Sequence, residues 1–190
     1  MHPDFGRYIA CAWIAWAVIW LIGALRVKRI VRKQSGASSL LQAGLLGVAL
    51  CVLFMGKRRL RFLSWRLIPV SLAIGWTGLV LTIAGVALTV LARVYLGGNW
   101  SGLATVKQDH TLVRTGPYAF VRHPIYLGVL LASVGSVIAL GQLRCVIGFG
   151  LIILGNMLKL PLEERLMSEQ FGDLYLQYKR ETKALIPFVW

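Results

Sequence analysis

Acidic residues are nearly missing from this chain. Seven Asp and Glu stand against 21 Lys and Arg among 190 residues, for a formal net charge of +14. Histidine and cysteine are equally scarce, with three of each. Cys11, Cys51 and Cys145 lie far apart in apolar surroundings, with no CxxC spacing and no ligand-type neighbour, so they read as small buried hydrophobes. No set of His and Cys has zinc-ligand spacing, and no metal is expected. A dinucleotide-binding GxGxxG, a Walker lysine, an HExxH and a Ser/His/Asp signature are all lacking.

Charge of either sign is also missing from long stretches. Residues 8–25, 38–56, 67–92, 125–143 and 145–158 carry none. The chain is 57% hydrophobic, with a mean hydropathy of +0.70. That is too apolar for a soluble globule, which must cover its surface with polar groups. A spanning helix needs about 20 apolar residues, and backbone groups in lipid must pair within their own segment. The expected fold is therefore all-α and integral to the membrane, with about five transmembrane helices and a C-terminal amphipathic helical tail. Residues 1–96 would hold three spans, and 97–190 a catalytic half with a loop, two spans and the tail. The first run reads as a retained helix, since no small-x-small cleavage site follows it.

The basic residues sit between the apolar runs, where membrane-flanking charges belong, so a bilayer and not nucleic acid is the expected partner. Five spans put segments 26–37, 93–124 and 159–190 on one face, with 14 of the 21 Lys and Arg. The positive-inside rule makes that face cytoplasmic. The basic, aromatic stretch 57–66 falls on the other face and is expected to lie along the headgroups.

Most of the chain's polar chemistry lies in 97–123 and in the tail from Pro161, which share a compartment. In Arg122-His123-Pro124, proline suits the first turn of a helix, so Pro124 should open the fourth span. The unpaired N–H groups there, with Arg122 and His123, suit an anion. Gly116-Pro117-Tyr118 reads as a turn aiming Tyr118 back at that point. Interfacial charges and an aromatic belt including Tyr126 remain the plain alternative. Pro161 should end or kink the fifth span, with Glu163 and Glu164 just beyond it. For either acid a salt bridge and a ligand contact are equally consistent with the spacing. Leu162, Leu166, Phe171, Leu174 and Tyr178 would form the tail's apolar face, broken at Gly172. Asp109-His110 reads as a solvated loop tip.

Taken together, LGGNWSG at 96–102, HTLVRTGPYAFVRHPIYLG at 110–128 and the run from PLEERL to ALIPF at 161–188 resemble the isoprenylcysteine carboxyl methyltransferase family, including its prokaryotic members, and more distantly the phospholipid methyltransferases. The resemblance implies an integral membrane enzyme that uses S-adenosylmethionine, with S-adenosylhomocysteine as product. It implies cofactor binding by Tyr118, His123, Pro124, Tyr126, Gly128, Glu163 and Glu164, with Gly128 allowing close approach. Arg122 and Arg165 would hold the carboxylate of a prenylated or lipid-like acceptor, and Asn99 and Trp100 would border its way in. Amine methylation on the same fold and a non-catalytic scaffold are the competing readings.

Overall fold

A computed structural model of the chain describes residues 3–24, 30–33, 44–45, 47–49, 51–52, 61–69, 71–100, 105–107 and 111–186. Four long helices and a short one organise them: α1 (Phe5–Ala24), α2 (Leu72–Leu96), α3 (Pro124–Leu140), α4 (Leu143–Phe171) and the short α5 (Asp173–Glu181). Three apolar stretches are long enough to cross a membrane, Phe5–Gly23, Leu72–Asn99 and Leu143–Phe171, and Pro124–Leu140 is a shorter apolar helix. Two short strands, β1 (Ile30–Lys33) and β2 (Thr105–Lys107), pair antiparallel and tie together two of the segments expected on one face.

The tightest packing is between α2 and α3, and small residues make it possible. A Cβ at Gly78 would overlap the backbone of Gly135 and Ala139, and one at Gly85 would overlap Gly128 and Ala132. Without a hydrophobic drive between helices in lipid, close backbone approach and polar bridges supply the association. Thr82 Oγ1 donates to the Gly78 carbonyl at 2.9 Å and reaches the Ala132 carbonyl at 3.2 Å. Trp13 of α1 adds the third helix, its Nε1 donating to Ser136 Oγ at 3.0 Å. Around that bond Ile9, Trp13, Trp16, Leu79, Ala132 and Ala139 form the main core.

Helix directions follow from the end contacts. The Phe5 ring stands edge-on to Trp76 at 5.5 Å, and at the other end Arg93 Nη2 donates to the Gly23 carbonyl at 2.6 Å, so α1 and α2 run parallel. A parallel pair requires the connecting chain to travel back across the same thickness. The expected second span, 38–56, lies mostly outside the described residues, although Ala49 packs with Cys145 and Ile152 of α4. The α3–α4 turn at Gly141 (φ 59°) accepts bonds from the Leu67 and Ile68 amides at 2.7 and 3.3 Å. This places 65–68 at the end opposite Pro124, with Trp65 exposed, while residues 57–60 of the basic stretch lie outside the described residues.

Two boundaries differ from the sequence reading. The third span begins at Leu72 and not at residue 67, because residues 65–68 are occupied in pairing with the α3–α4 turn. Of the two outcomes expected at Pro161, an end to the helix is overturned: α4 continues to Phe171 with the proline inside it. A proline removes one backbone donor, and the following turns retain theirs, reinforced by Ser168 Oγ donating to the Glu164 carbonyl at 2.7 Å. Gly172, at φ 53°, makes the break into α5.

Candidate active site

Pro124 opens α3, with His123 just outside its first turn. The preceding 3-10 turn, Gly116–Ala119, begins at Gly116 with φ 60°, a backbone open to glycine. A side chain there would also collide with the Tyr95 ring. The turn sends Tyr118 into the interior at 6% exposure.

Across from this turn, the C-terminal half of α4 presents Glu163 and Glu164 to it. Glu164 is a hub. Its Oε1 accepts from Arg122 Nε at 2.8 Å, His123 Nε2 at 2.9 Å and Tyr175 Oη at 3.0 Å, and its Oε2 lies 2.8 Å from Lys179 Nζ. An ionised carboxylate only accepts, so it assigns the His123 proton to Nε2. Glu163 is much less engaged. Tyr126 Oη donates to it at 2.7 Å, and Lys159 Nζ and His123 Nδ1 stand at 3.6 and 3.7 Å. The His123 and Tyr126 rings stack at 5.6 Å between centroids, and Lys159 lies 5.4 Å over the Tyr126 ring.

The tail closes over this cluster as a strap. The amides of Arg122 and His123 donate to the Lys183 and Ala184 carbonyls at 2.8 and 3.0 Å. The Arg122 guanidinium also donates to the Thr182 carbonyl, and Arg114 pairs with Glu181. Tyr178 Oη donates to the Tyr118 carbonyl at 2.5 Å. Burial, opposed by Arg122, pushes the Tyr178 phenol up to about 12. Tyr175 is raised further, first by burial and then by Glu164. Both therefore remain neutral donors at working pH.

The structure thus gathers Tyr118, Arg122, His123, Pro124, Tyr126, Glu163 and Glu164 from the candidates. It does not gather Arg165, which is exposed and pairs one turn on with Glu169 at 2.8 Å. Gly128 faces α2, where a Cβ would meet Thr89 and the Gly85 carbonyl; its close approach is to a helix, not to the polar cluster. Asn99 and Trp100 form a separate corner: Asn99 Nδ2 donates to Thr111 Oγ1 at 2.9 Å, and Trp100 stands edge-on to Trp20 at 5.6 Å. Asp109 and His110 lie outside the described residues.

Sequence reasoning missed Tyr175 and Lys179 as partners of Glu164. It placed Leu174 on the buried face, whereas Leu174 is 60% exposed and Tyr175 is 2% exposed. The break at Gly172 resets the helical phase, so an apolar face counted through it comes out wrong. The spacing Tyr175-x-x-Tyr178, counted from Gly172 alone, marks the inward face.

Among the described residues, no group of His, Cys, Asp and Glu could hold a metal ion. These features define a helical membrane protein with a charged, strapped cluster at one end of its spans. The comparisons specify it further. Residues 77–169 match the Isoprenylcysteine carboxyl methyltransferase (ICMT) family. It is 30% identical over 115 residues to protein-S-isoprenylcysteine O-methyltransferase B of Arabidopsis thaliana, covering 59% of this chain and 58% of that protein. It is 32% identical over 116 residues to the Homo sapiens protein-S-isoprenylcysteine O-methyltransferase, covering 60% and 41%. A solved structure of the eukaryotic intramembrane Ras methyltransferase ICMT superposes with a TM-score of 0.56 at 27% identity, over 78% of this chain and 53% of that one. The chain thus spans about half the length of the relatives it matches.

Proposed function

We propose that the chain is an S-adenosylmethionine-dependent carboxyl methyltransferase that modifies a prenylated or lipid-like acceptor at the membrane surface. The observation that carries this reading is the unequal engagement of the two acids. Glu164 has its lone pairs filled by four donors, whereas Glu163 has one short bond and open acceptor capacity toward the Tyr126 and His123 side. Unfilled lone pairs beside two aromatic rings fit a nucleoside's ribose diol and base. Glu163 is therefore the acid that contacts the methyl donor, and Glu164 the acid that holds Arg122, His123 and the strap in place.

When bound, the donor supplies a methyl group activated by its sulfonium. The chain's own residues have a simpler task than in hydrolysis. A carboxylate acceptor is ionised at neutral pH, so no base is needed. Alignment and exclusion of water remain, and the strap over residues 118–123 serves both. The site lies on the face richer in Lys and Arg, which the positive-inside rule assigns to the cytoplasm. A soluble donor would arrive from water there, and a lipid-like acceptor from the bilayer.

Isothermal titration of the purified protein with S-adenosylhomocysteine tests this directly. Binding in the micromolar range is expected, abolished by Glu163→Ala and by His123→Ala. Wild-type affinity in both variants would defeat the assignment.

A further inference from the structure

Arg93, in the last turn of α2, is a buried cation whose charge the described structure does not pair. It is 8% exposed. Its Nη1 donates to the Gly97 carbonyl at 2.7 Å and its Nη2 to the Gly23 carbonyl at 2.6 Å, both neutral acceptors. Its Nε is buried without a hydrogen-bond partner. One face of the guanidinium lies 4.2 Å from the Trp100 ring centroid. At Gly23 it meets bare backbone, where a Cβ would come within 3.1 Å of Nη2. No described carboxylate lies within ion-pair distance of it.

The other arginines near the strapped cluster differ on this point. Arg122 pairs with Glu164, Arg114 with Glu181 and Arg165 with Glu169. The carbonyls of Gly23 and Gly97 end two helices, and their partial negative charge accounts for part of Arg93's stability but not for a full neutralising charge. A buried cation with three N–H donors unspent is costly unless something anionic meets it.

Its position says what that anion is. The Tyr118 phenol is raised first by burial and then by Glu163, with Arg93 acting in the opposite sense. The geometry agrees: two residues on from Arg93, the Tyr95 ring packs against Gly116, the first residue of the turn that carries Tyr118, so the last turn of α2 stands beside the site.

We propose that Arg93 anchors the carboxylate of the methyl acceptor. The inference rests on the methyl-transfer reading above and adds to it the residue that holds the second substrate. Nε–H and the free N–H of a terminal nitrogen form a fork matched to a carboxylate. A planar fork fixes the orientation of the acceptor's oxygens, and Trp100 fixes the plane of the fork. Arg122 and Arg165, already neutralised, are left to structural pairing.

The test compares a farnesylated N-acetylcysteine with its carboxamide, which differs only in lacking the charge. Both are titrated into the purified full chain in detergent with S-adenosylhomocysteine present. Wild type should prefer the acid by roughly tenfold or more. Arg93→Gln, which removes the charge and keeps a neutral polar side chain, should abolish that preference and leave amide and S-adenosylhomocysteine binding unchanged. Arg93→Lys should keep part of it. An undiminished preference in Arg93→Gln, or none in wild type, overturns the proposal. Should the Gln variant not fold, Arg93→Lys decides: a several-fold smaller preference is expected of a point charge, and an unaltered one overturns it. Failure of wild type to bind S-adenosylhomocysteine would instead sink the methyl-transfer reading itself.

Discussion

His123 Nε2 and Glu164 Oε1 lie 2.9 Å apart although 41 positions separate them in the chain. The bond joins the start of α3 to the far end of α4, two antiparallel helices linked at the opposite end by the tight turn at Gly141. It therefore reports whether the whole α3–α4 hairpin has closed, and it divides the two acids into a structural one and an available one.

Glu164→Gln should lower the thermal stability of the detergent-solubilised protein far more than Glu163→Gln. Removing one partner from a buried ion cluster costs about 3 kcal/mol, because Arg122 is left without its counter-charge and His123 Nε2 without its acceptor. Glu163→Gln should instead leave the melting temperature nearly unchanged and weaken S-adenosylhomocysteine binding at least tenfold. Equal melting losses would remove the distinction.

Tyr175→Phe deletes one of the four donors to Glu164 and keeps the ring packed against Tyr178, 6.0 Å away. A loss of about 1.5–3 kcal/mol is expected, in line with a hydrogen bond to a charged group. Tyr178→Phe should act differently, by freeing the Tyr118 carbonyl and loosening the strap. Limited proteolysis of the tail would detect this as faster cleavage near 179–183.

Gly85→Val should separate α2 from α3, since its side chain would overlap the Gly128 and Ala132 backbone. Gly150→Val should be silent, because a Cβ at Gly150 would meet nothing within 4 Å. Overpacking of this kind costs about 1–3 kcal/mol or more. Comparing the melting temperatures of the two variants checks it.

The product distinguishes ester from amine. After transfer of a labelled methyl group into a membrane extract, treatment with base should release volatile methanol from a carboxyl ester. Label that stays on a base-stable lipid would place the chain with amine methylation instead.

Several of these features were legible in the sequence, and for identifiable reasons. Uncharged runs declare themselves in a bilayer because no backbone or charge can go unpaired there. Pro124 marked a helix start and Gly172 a helix break because each residue restricts or frees φ in a way few others do. Clustering of the Arg122-His123 step with Glu163 and Glu164 was expected from shared sidedness alone. What stayed hidden depends on phase and on neighbours. Tyr175 and Leu174 differ by one position, and only the geometry after Gly172 decides which turns inward. Gly128 looked like room for a ligand because sequence does not say that Gly85 stands opposite it. Arg93 looked like an ordinary flanking charge, since nothing in its spacing reveals that its nearest acceptors are uncharged carbonyls.

The strap has a consequence for biosynthesis. Lys183 and Ala184 supply the backbone acceptors for Arg122 and His123, so the cluster cannot be completed while the tail is still inside the ribosome. The strap is thus a late-made partner for early-made residues: the fold of 118–123 waits on acceptors some 60 positions further along the chain.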